Sequence, residues 1–527
     1  MYIEGYISII FFLQSLYKTL ATTNNILFIM ADQLRFDFLS QEVSPNLMRL
    51  RSTGYNFVNA YSSTPTCTPA RAAILTGRSP WYHGMLGYGK ISKYYPQGEY
   101  PELLAALGYT LHAVGKNHFG WDDSIDEGVS HGFNSTKIYD GLGNGTRGGG
   151  EYDDYDAWFQ KHKPGADPLK GIDEWNSWHA LFYPYKTFYH PTAWTGRGAV
   201  SFLDRYISGR YDEGNTPFFL KVSFHRPHSP YDPPFEYFER IPDSIVNIPY
   251  EGGNWDERFQ GPDDDCGPSK SEAWCGKMPL NETMFSRKSY LANIKFVDDQ
   301  IGNILKKLRE ENLEKSTCIL FTSDHGDGQG DHHLWRKGFP YEFSSHIPMI
   351  LWAPVFIHPP SQIVEEPVEL RDLFPTFLDI AGGDHLVPPG LNGSSLLNLI
   401  PEVRSRIKGV AVSSSVKQSW RKWIDLEHNI CYNVTMHWNA LTDGKIKYIY
   451  RAYFDDEQLF NMTADPQEIQ SLHDRPQYFE ELIKWRGRLA QQFKEEDRGT
   501  KWVKNGVLQR RKLGQNYSPY YPRGNKI

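Results

Sequence analysis

Two short apolar runs, each ending in an aspartate and a neutral donor, constrain this chain more than any other feature. Asn25-Ile26-Leu27-Phe28-Ile29-Met30 leads into Ala31-Asp32-Gln33, and Cys318-Ile319-Leu320-Phe321-Thr322 leads into Ser323-Asp324-His325-Gly326. Neither run alternates polar with apolar residues as a half-exposed strand would. Both therefore predict central parallel strands buried on two faces. Open α/β sheets place their ligands at the carboxyl ends of such strands. Asp32 with Gln33 and Asp324 with His325 then predict a cation site, and hard oxygen donors point to calcium or magnesium. Taken alone, either aspartate reads as the cap of a following helix.

Between these strands lies Cys67-Thr68-Pro69-Ala70-Arg71, running on into Ala72-Ala73-Ile74-Leu75-Thr76-Gly77-Arg78. Thr66, Thr68 and Pro69 predict a capped helix start. Cys67 then sits at the helix N-terminus, where unpaired N–H groups and the macrodipole favour negative charge. Arg71 lies one turn on, along the same face. By itself the segment reads equally as a buried cysteine beside a surface arginine.

Three more segments bring cations to strand ends. The stretch Gly108 to Gly120 carries Gly115-Lys116-Asn117-His118 after an apolar run, and Pro217 to Pro230 carries Pro227-His228-Ser229-Pro230 after another. Leu334-Trp335-Arg336-Lys337-Gly338 precedes Glu342 and His346-Ile347-Pro348. A single lysine or histidine in a loop ordinarily reads as a solvated side chain. His225, His332 and His333 lie beside these motifs and read either as substrate contacts or as structural residues.

In this order, over roughly Asn25 to Asp474, the motifs resemble those of the sulfatase family. The matching patterns are C-x-P-x-R with its A-x-x-x-T-G-R tail, G-K-x-H, P-H-x-P and K-x-x-x-x-E. Gln458 to Pro466 is similar to the family's E-L-Y-D-L-x-x-D-P stretch. The resemblance implies an α/β fold. Its large alkaline-phosphatase-like domain has a central, mostly parallel mixed sheet flanked by helices, and a smaller C-terminal domain carries an antiparallel sheet. It also implies a sulfuric ester hydrolase of arylsulfatase type acting on a small-molecule or glycan sulfate ester. Cys67 would be converted to formylglycine by a formylglycine-generating enzyme, and one hydroxyl of the aldehyde hydrate would attack sulfur. A serine would lack the second hydroxyl needed to release the sulfate.

The residues carried over as catalytic are Cys67, Arg71, Lys116, His118, His228 and Lys337. Arg71 would hold the hydrate, Lys116 and Lys337 the sulfate, and His118 the free hydroxyl, while His228 would protonate the leaving oxygen. The implied metal ligands are Asp32, Gln33, Cys67, Asp324 and His325, with calcium the usual ion and magnesium the lesser alternative. Many relatives carry Asp in place of Gln33 and Asn in place of His325. The Gln and His versions resemble choline-sulfatase-like and phosphonate-hydrolase-like branches. Two other readings are a phosphonate or phosphate diester hydrolase with the same nucleophile, and a catalytically silent secreted binding protein.

The remaining sequence is consistent with a secreted or lysosomal hydrolase. Ile7 to Leu13 followed by Thr19-Leu20-Ala21 reads as a signal-peptide core with its cleavage site, too short to span a membrane. Sequons stand at Asn134, Asn144, Asn281, Asn392, Asn433, Asn461 and Asn516. Cys266 and Cys275 are a plausible disulfide in an oxidising lumen, Cys318 a core residue, and Cys431 has no evident partner. The net charge of −7 gives no reason to expect nucleic-acid binding.

The expected organisation is a signal segment at 1–21, a catalytic domain at 22–400 and a C-terminal unit with a basic tail at 401–527. Tyr290 to Glu310 has the spacing of a helix with one core face, and Ala440 to Tyr450 that of a hairpin turning at Asp443-Gly444. An insert from Asn134 to Trp194 carries Trp158, Trp175, Trp178 and Trp194 beside a Gly-rich run. These read first as the insert's own small core and second as faces over a sugar or aryl pocket. The tail from Thr500 reads as packed or solvated, with attraction of a sulfated glycan as the alternative.

Overall fold

The computed structural model of this chain describes residues 24–522 apart from 93, 120–129, 142–152, 173, 211–215, 262–265, 355–361, 409–418 and 431. The signal segment, the sequon at Asn144, most of the Gly-rich run and Cys431 lie outside the described residues.

The first apolar run forms β1 (Asn25–Ala31), buried along its whole length. The same sheet contains β2 (Tyr55–Phe57), β3 (Thr110–Gly115), β4 (Ser135–Ile138) and β5 (Phe218–Phe224). It is completed by β6 (Thr317–Thr322), β7 (Met349–Trp352) and β8 (Gln362–Val364). The order across this eight-stranded sheet is β4-β3-β5-β1-β6-β7-β2-β8. Only β7 runs against the other strands. β1 is flanked by β5 and β6, so the carboxyl ends of three buried strands open on one place.

Alternate residues of β1 serve two cores, as a doubly covered strand requires. Ile26, Phe28 and Met30 pack with α1 (Cys67–Thr76), and Leu27, Ile29 and Ala31 with α2 (Pro191–Ile207) and α3 (Leu280–Glu310). The helix α4 (Leu373–Ile380) joins the first core through Phe374 and Phe377. The row expected from Tyr290 to Glu310 is the latter part of α3, with Leu291, Ile294, Val297, Ile301, Ile304, Leu305 and Leu308 buried.

A second, four-stranded antiparallel sheet follows, with β9 (Ile424–His428), β10 (Trp438–Thr442), β11 (Ile446–Arg451) and β12 (Asp456–Asn461) in chain order. The β9–β12 pairings form a meander. The β10–β11 turn falls at Asp443-Gly444, where Gly444 takes φ 84 and Asp443 Oδ1 accepts the N–H groups of Lys445 and Ile446. The helix α5 (Phe479–Glu495) covers this sheet with Leu482, Trp485, Leu489 and Phe493.

Cys266 and Cys275 are disulfide-bonded, and Cys318 lies in β6 with its thiol pushed up to about 12 by burial. The tail is packed: the Arg511 guanidinium sits 3.9 Å over the Trp502 ring, and the Ser518 hydroxyl donates to the Trp81 carbonyl at 2.6 Å. The insert departs from expectation. Its tryptophans do not form a separate core, because Trp178 and Trp194 are buried in the cluster shared by β1 and α3. That cluster offers an apolar surface continuous with the sheet, so the insert buries more area by joining it. No described helix is long and apolar enough to cross a membrane.

Two buried histidines give the fold an acid limit. Burial lowers His83 to about 3, helped by Arg371, and lowers His112 to about 3, helped by Arg205 and Lys137. Unfolded histidines take up protons near 6.5, and these two stay neutral in the fold until about 3. Their contribution to stability is therefore complete above pH 6.5 and drains as pH falls toward 3, by up to ~1.4 kcal/mol per pH unit for each. His112 stacks on Phe202 at 4.8 Å. In His112→Phe the loss of melting temperature between pH 6.5 and 4 is expected to be shallower than in the wild type, read by thermal unfolding across pH.

Candidate active site

The cysteine at the start of α1 lies beneath the carboxyl ends of β1, β5 and β6. Thr66 has the extended backbone of an N-cap, but its hydroxyl does not cap the helix. Its Oγ1 instead lies 3.1 Å from His428 Nε2 at the end of β9, tying the helix start to the second sheet. Gly77 closes α1 in the left-handed region at φ 66. At the end of β6, a Cβ on Gly326 would stand 2.0 Å from the Phe343 carbonyl oxygen, so only glycine lets the chain pass after His325.

The two aspartates expected from the strand ends converge. Ligand atoms of Asp32, Cys67, Asp324 and His325 all lie within 4.8 Å of one another, and all four residues are buried. Arg71 spans the carboxylates, with Nη2 3.0 Å from Asp32 Oδ2 and 3.0 Å from Asp324 Oδ2. Lys116 Nζ meets Asp32 Oδ2 at 2.5 Å. Both Oδ1 atoms instead lie 3.7 Å from His325 Nε2. His325 Nδ1 donates to the Gly326 carbonyl at 3.0 Å, so Nε2 presents its lone pair to the cluster when the ring is neutral. Two carboxylate oxygens, an imidazole nitrogen and the side chain at position 67 form a donor set that fits a divalent cation.

Gln33 sits beside this set at φ 64. Its Oε1 accepts from Lys337 Nζ at 2.9 Å and its Nε2 donates to Asp327 Oδ2 at 2.5 Å. The Gln33 side chain thus links the cation cluster to the lysine side of the pocket.

Cations surround the sulfur. Lys116 Nζ lies 3.6 Å from Cys67 Sγ and His325 Nε2 lies 3.3 Å from it. Burial opposes ionisation of this thiol, yet Lys116, Lys337, His325 and a hydrogen bond from His118 hold it well below the ordinary cysteine range. Asp32 is likewise held down: burial and Cys67 work against its charge, and Lys116 and Arg71 are the permanent cations that oppose them. His118, at φ 52, is fixed by its own N–H and that of Asn117, both donated to Asp140 Oδ1.

His228 and Lys337 form a pair. His228 Nδ1 donates to the Ser229 carbonyl at 2.6 Å, which leaves Nε2 to accept from Lys337 Nζ at 2.5 Å. Burial, Lys337 and Lys116 lower His228 to about 3. Burial also lowers Lys337, against the pull of Cys67 and Asp32; in the pair its Nζ is the donor, while the His228 imidazole, expected from the sequence to carry the proton, is held neutral.

All six residues expected to be catalytic thus gather around one cavity of about 240 Å³, with Cys67, Lys116, His118, His228 and Lys337 lining it and Arg71 behind. Tyr88, Trp175, Asn176, Arg336 and Tyr432 also line it; of these the sequence offers only Trp175 as a pocket residue, and only as the second reading. Trp175 takes that second of the two readings offered for the insert's tryptophans, a face over the pocket. His225 lies behind Trp175, edge-on at 4.8 Å, while His332 is structural, bound to Asp256 and the Gln467 carbonyl.

The Sulfatase family model matches residues 24–383, and that for the C-terminal region of N-sulphoglucosamine sulphohydrolase matches residues 330–495. The chain belongs to the sulfatase family. An arylsulfatase of Clostridium perfringens is 32% identical to this sulfatase over 479 residues, covering 87% of this chain and 92% of its own. A choline-sulfatase of Rhizobium meliloti is 29% identical over 474 residues, covering 86% and 83%. The phosphonate monoester hydrolase of Agrobacterium radiobacter shares the fold, with a TM-score of 0.68 at 21% identity over 90% of this chain and 96% of its own. This sulfatase is a sulfuric ester hydrolase.

Proposed function

We propose that this sulfatase releases inorganic sulfate from a carbohydrate or aryl sulfate ester, using formylglycine derived from Cys67. A formylglycine-generating enzyme would carry out that conversion during maturation. The observation that carries the reading is the convergence of Asp32, Asp324, His325, Lys116 and Arg71 on a side chain at a helix N-terminus. Asp32, Gln33, Asp324, His325 and the side chain at position 67 would hold a divalent cation, calcium before magnesium. When present, the aldehyde hydrate supplies the attacking hydroxyl and the cation lowers the cost of ionising it.

The chain's own residues then have distinct tasks. Lys116 and Lys337 orient the sulfuryl oxygens and balance their charge in a water-poor site. Arg71 holds Asp32 and Asp324 with their Oδ1 atoms toward the cluster. His118 takes a proton from the free hydroxyl at position 67. On the leaving-group side Lys337 Nζ is the proton donor for the departing oxygen, and His228 Nε2 holds it in place through their hydrogen bond. His228→Ala should therefore hurt poor leaving groups most: a ~10²–10⁴-fold loss in kcat on a sugar sulfate, against about tenfold or less on 4-nitrophenyl sulfate. Equal losses on the two substrates would remove the pair's role in protonating the leaving group.

A carbohydrate is preferred because Trp175 and Tyr88 wall a cavity of monosaccharide scale. The match to the N-sulphoglucosamine sulphohydrolase C-terminal region supports the same choice. The sequons support a secretory destination, secreted or lysosomal. The test is steady-state assay of protein co-produced with a formylglycine-generating enzyme, on sulfated monosaccharides, 4-nitrophenyl sulfate and 4-nitrophenyl phenylphosphonate. Faster turnover of the phosphonate would favour the diester-hydrolase alternative. EDTA is expected to abolish sulfate release and added calcium to restore it.

A further inference from the structure

The arginines Arg35, Arg71, Arg226 and Arg287 are buried, and each meets a carboxylate. Arg336 lines the active-site cavity beside Lys337, and among the described residues no carboxylate pairs with its guanidinium. Its backbone is pinned at φ 70, with its N–H donated to Asp327 Oδ1 at 3.1 Å and its carbonyl accepting from Gly328 at 2.7 Å. The side chain is steadied as well. Nη1 donates to the Glu272 carbonyl at 3.2 Å, and the guanidinium lies 4.8 Å over the Tyr432 ring. Nε is buried without a hydrogen-bond partner, and Nη2 makes none among the described residues. The Nε–Nη2 edge thus has no acceptor among the described residues, and it is the edge by which an arginine grips a carboxylate or sulfate through two parallel bonds.

Position decides which part of a substrate would meet it. The scissile sulfate belongs with Cys67 and Lys116, and the departing oxygen with the Lys337–His228 pair. Trp175 stands against the far side of that pair, with its ring 6.4 Å from His228. Arg336 adjoins Lys337 in the cavity lining and its charge acts on that lysine, which associates it with the alcohol portion of the ester rather than the sulfate being cleaved.

We infer that Arg336 recognises a second anionic group on the alcohol portion of the substrate. The preferred substrates are then sulfate esters of acidic sugars, bearing a carboxylate or a further sulfate, rather than esters of neutral or cationic alcohols. This rests on the sulfate-ester reading of the Cys67 site. A neutral alcohol would leave the buried Nε without a partner, which is costly at a water-poor surface.

Three aryl probes test it without knowledge of the natural sugar: phenyl sulfate, 3-carboxyphenyl sulfate and resorcinol bis-sulfate. The readout is kcat/KM for sulfate release by the formylglycine-bearing enzyme. The wild type is expected to prefer at least one anionic probe over phenyl sulfate by tenfold or more, and the preferred one tells carboxylate from sulfate. In Arg336→Ala that ratio should fall to near one, whatever happens to the rate on phenyl sulfate. Arg336→Lys should keep part of it, and Arg336→Glu should invert it, favouring 3-(trimethylammonio)phenyl sulfate. A wild-type ratio near one, or a ratio unchanged in Arg336→Ala and Arg336→Glu, would overturn the inference while leaving the sulfatase reading intact. No turnover of any probe by modified enzyme would sink both.

Discussion

Cys67→Ala is expected to lose sulfatase activity by roughly 10⁴–10⁶-fold, the scale seen when a covalent nucleophile is removed from an otherwise intact site. The replacement is small and sits at the first residue of a helix that alanine supports, so the fold should persist. An unchanged melting temperature would show that the loss is one of chemistry and not of fold. Cys67→Ser separates attack from release. A serine hydroxyl can accept one sulfuryl group but offers no second hydroxyl to expel it. The serine variant should therefore show at most one turnover and a protein mass increased by one sulfuryl group. Sustained multiple turnover by Cys67→Ser would contradict the need for the hydrate.

Asp324→Asn should have the second-largest effect, and on two observables. Arg71 is fully buried between Asp32 and Asp324. Neutralising one carboxylate leaves a buried guanidinium partly unpaired, a change that costs about 3–5 kcal/mol when a buried pair is broken outright. The same substitution takes an anionic donor from the cation cluster. Loss of a direct ligand should exceed the roughly 10–100-fold loss that follows removal of an outer partner. Calcium titrated against the variant, followed by melting temperature and by sulfate release, reads both. A variant that binds calcium and turns over like the wild type would show that Asp324 only anchors Arg71.

Much of this site could be read along the chain because short stretches carry it. Asp32 and Asp324 stand directly after strands whose apolar runs are unmistakable, and Cys67 and Arg71 are one helical turn apart. Lys116, His118 and His228 each follow a strand within a few residues, so backbone topology alone brings them to the same edge. The other residues of the cavity come from segments with no such local signal. Trp175 and Asn176 sit in an insert whose path depends on packing Trp178 and Trp194 into the main core. Tyr432 arrives on the connection between β9 and β10, and only the docking of the second sheet, through contacts such as Thr66 with His428, brings it opposite Lys337. The protonation of His228 was also invisible, because it depends on a lysine more than a hundred residues away. Arg336 looked like any cation beside a motif lysine until the structure showed no carboxylate meeting it among the described residues.

The central claim is that position 67 carries an aldehyde in the active protein, and mass spectrometry of one peptide tests it most directly. Trypsin should release residues Ser52 to Arg71 with Cys67 as the only cysteine. Protein co-produced with a formylglycine-generating enzyme is predicted to yield this peptide with formylglycine or its hydrate at position 67. The fraction modified should rise in proportion to the sulfate-releasing activity of each preparation. An unmodified thiol throughout, from an enzyme that nonetheless releases sulfate and with the generating enzyme active on a control substrate, would contradict the account at its central residue.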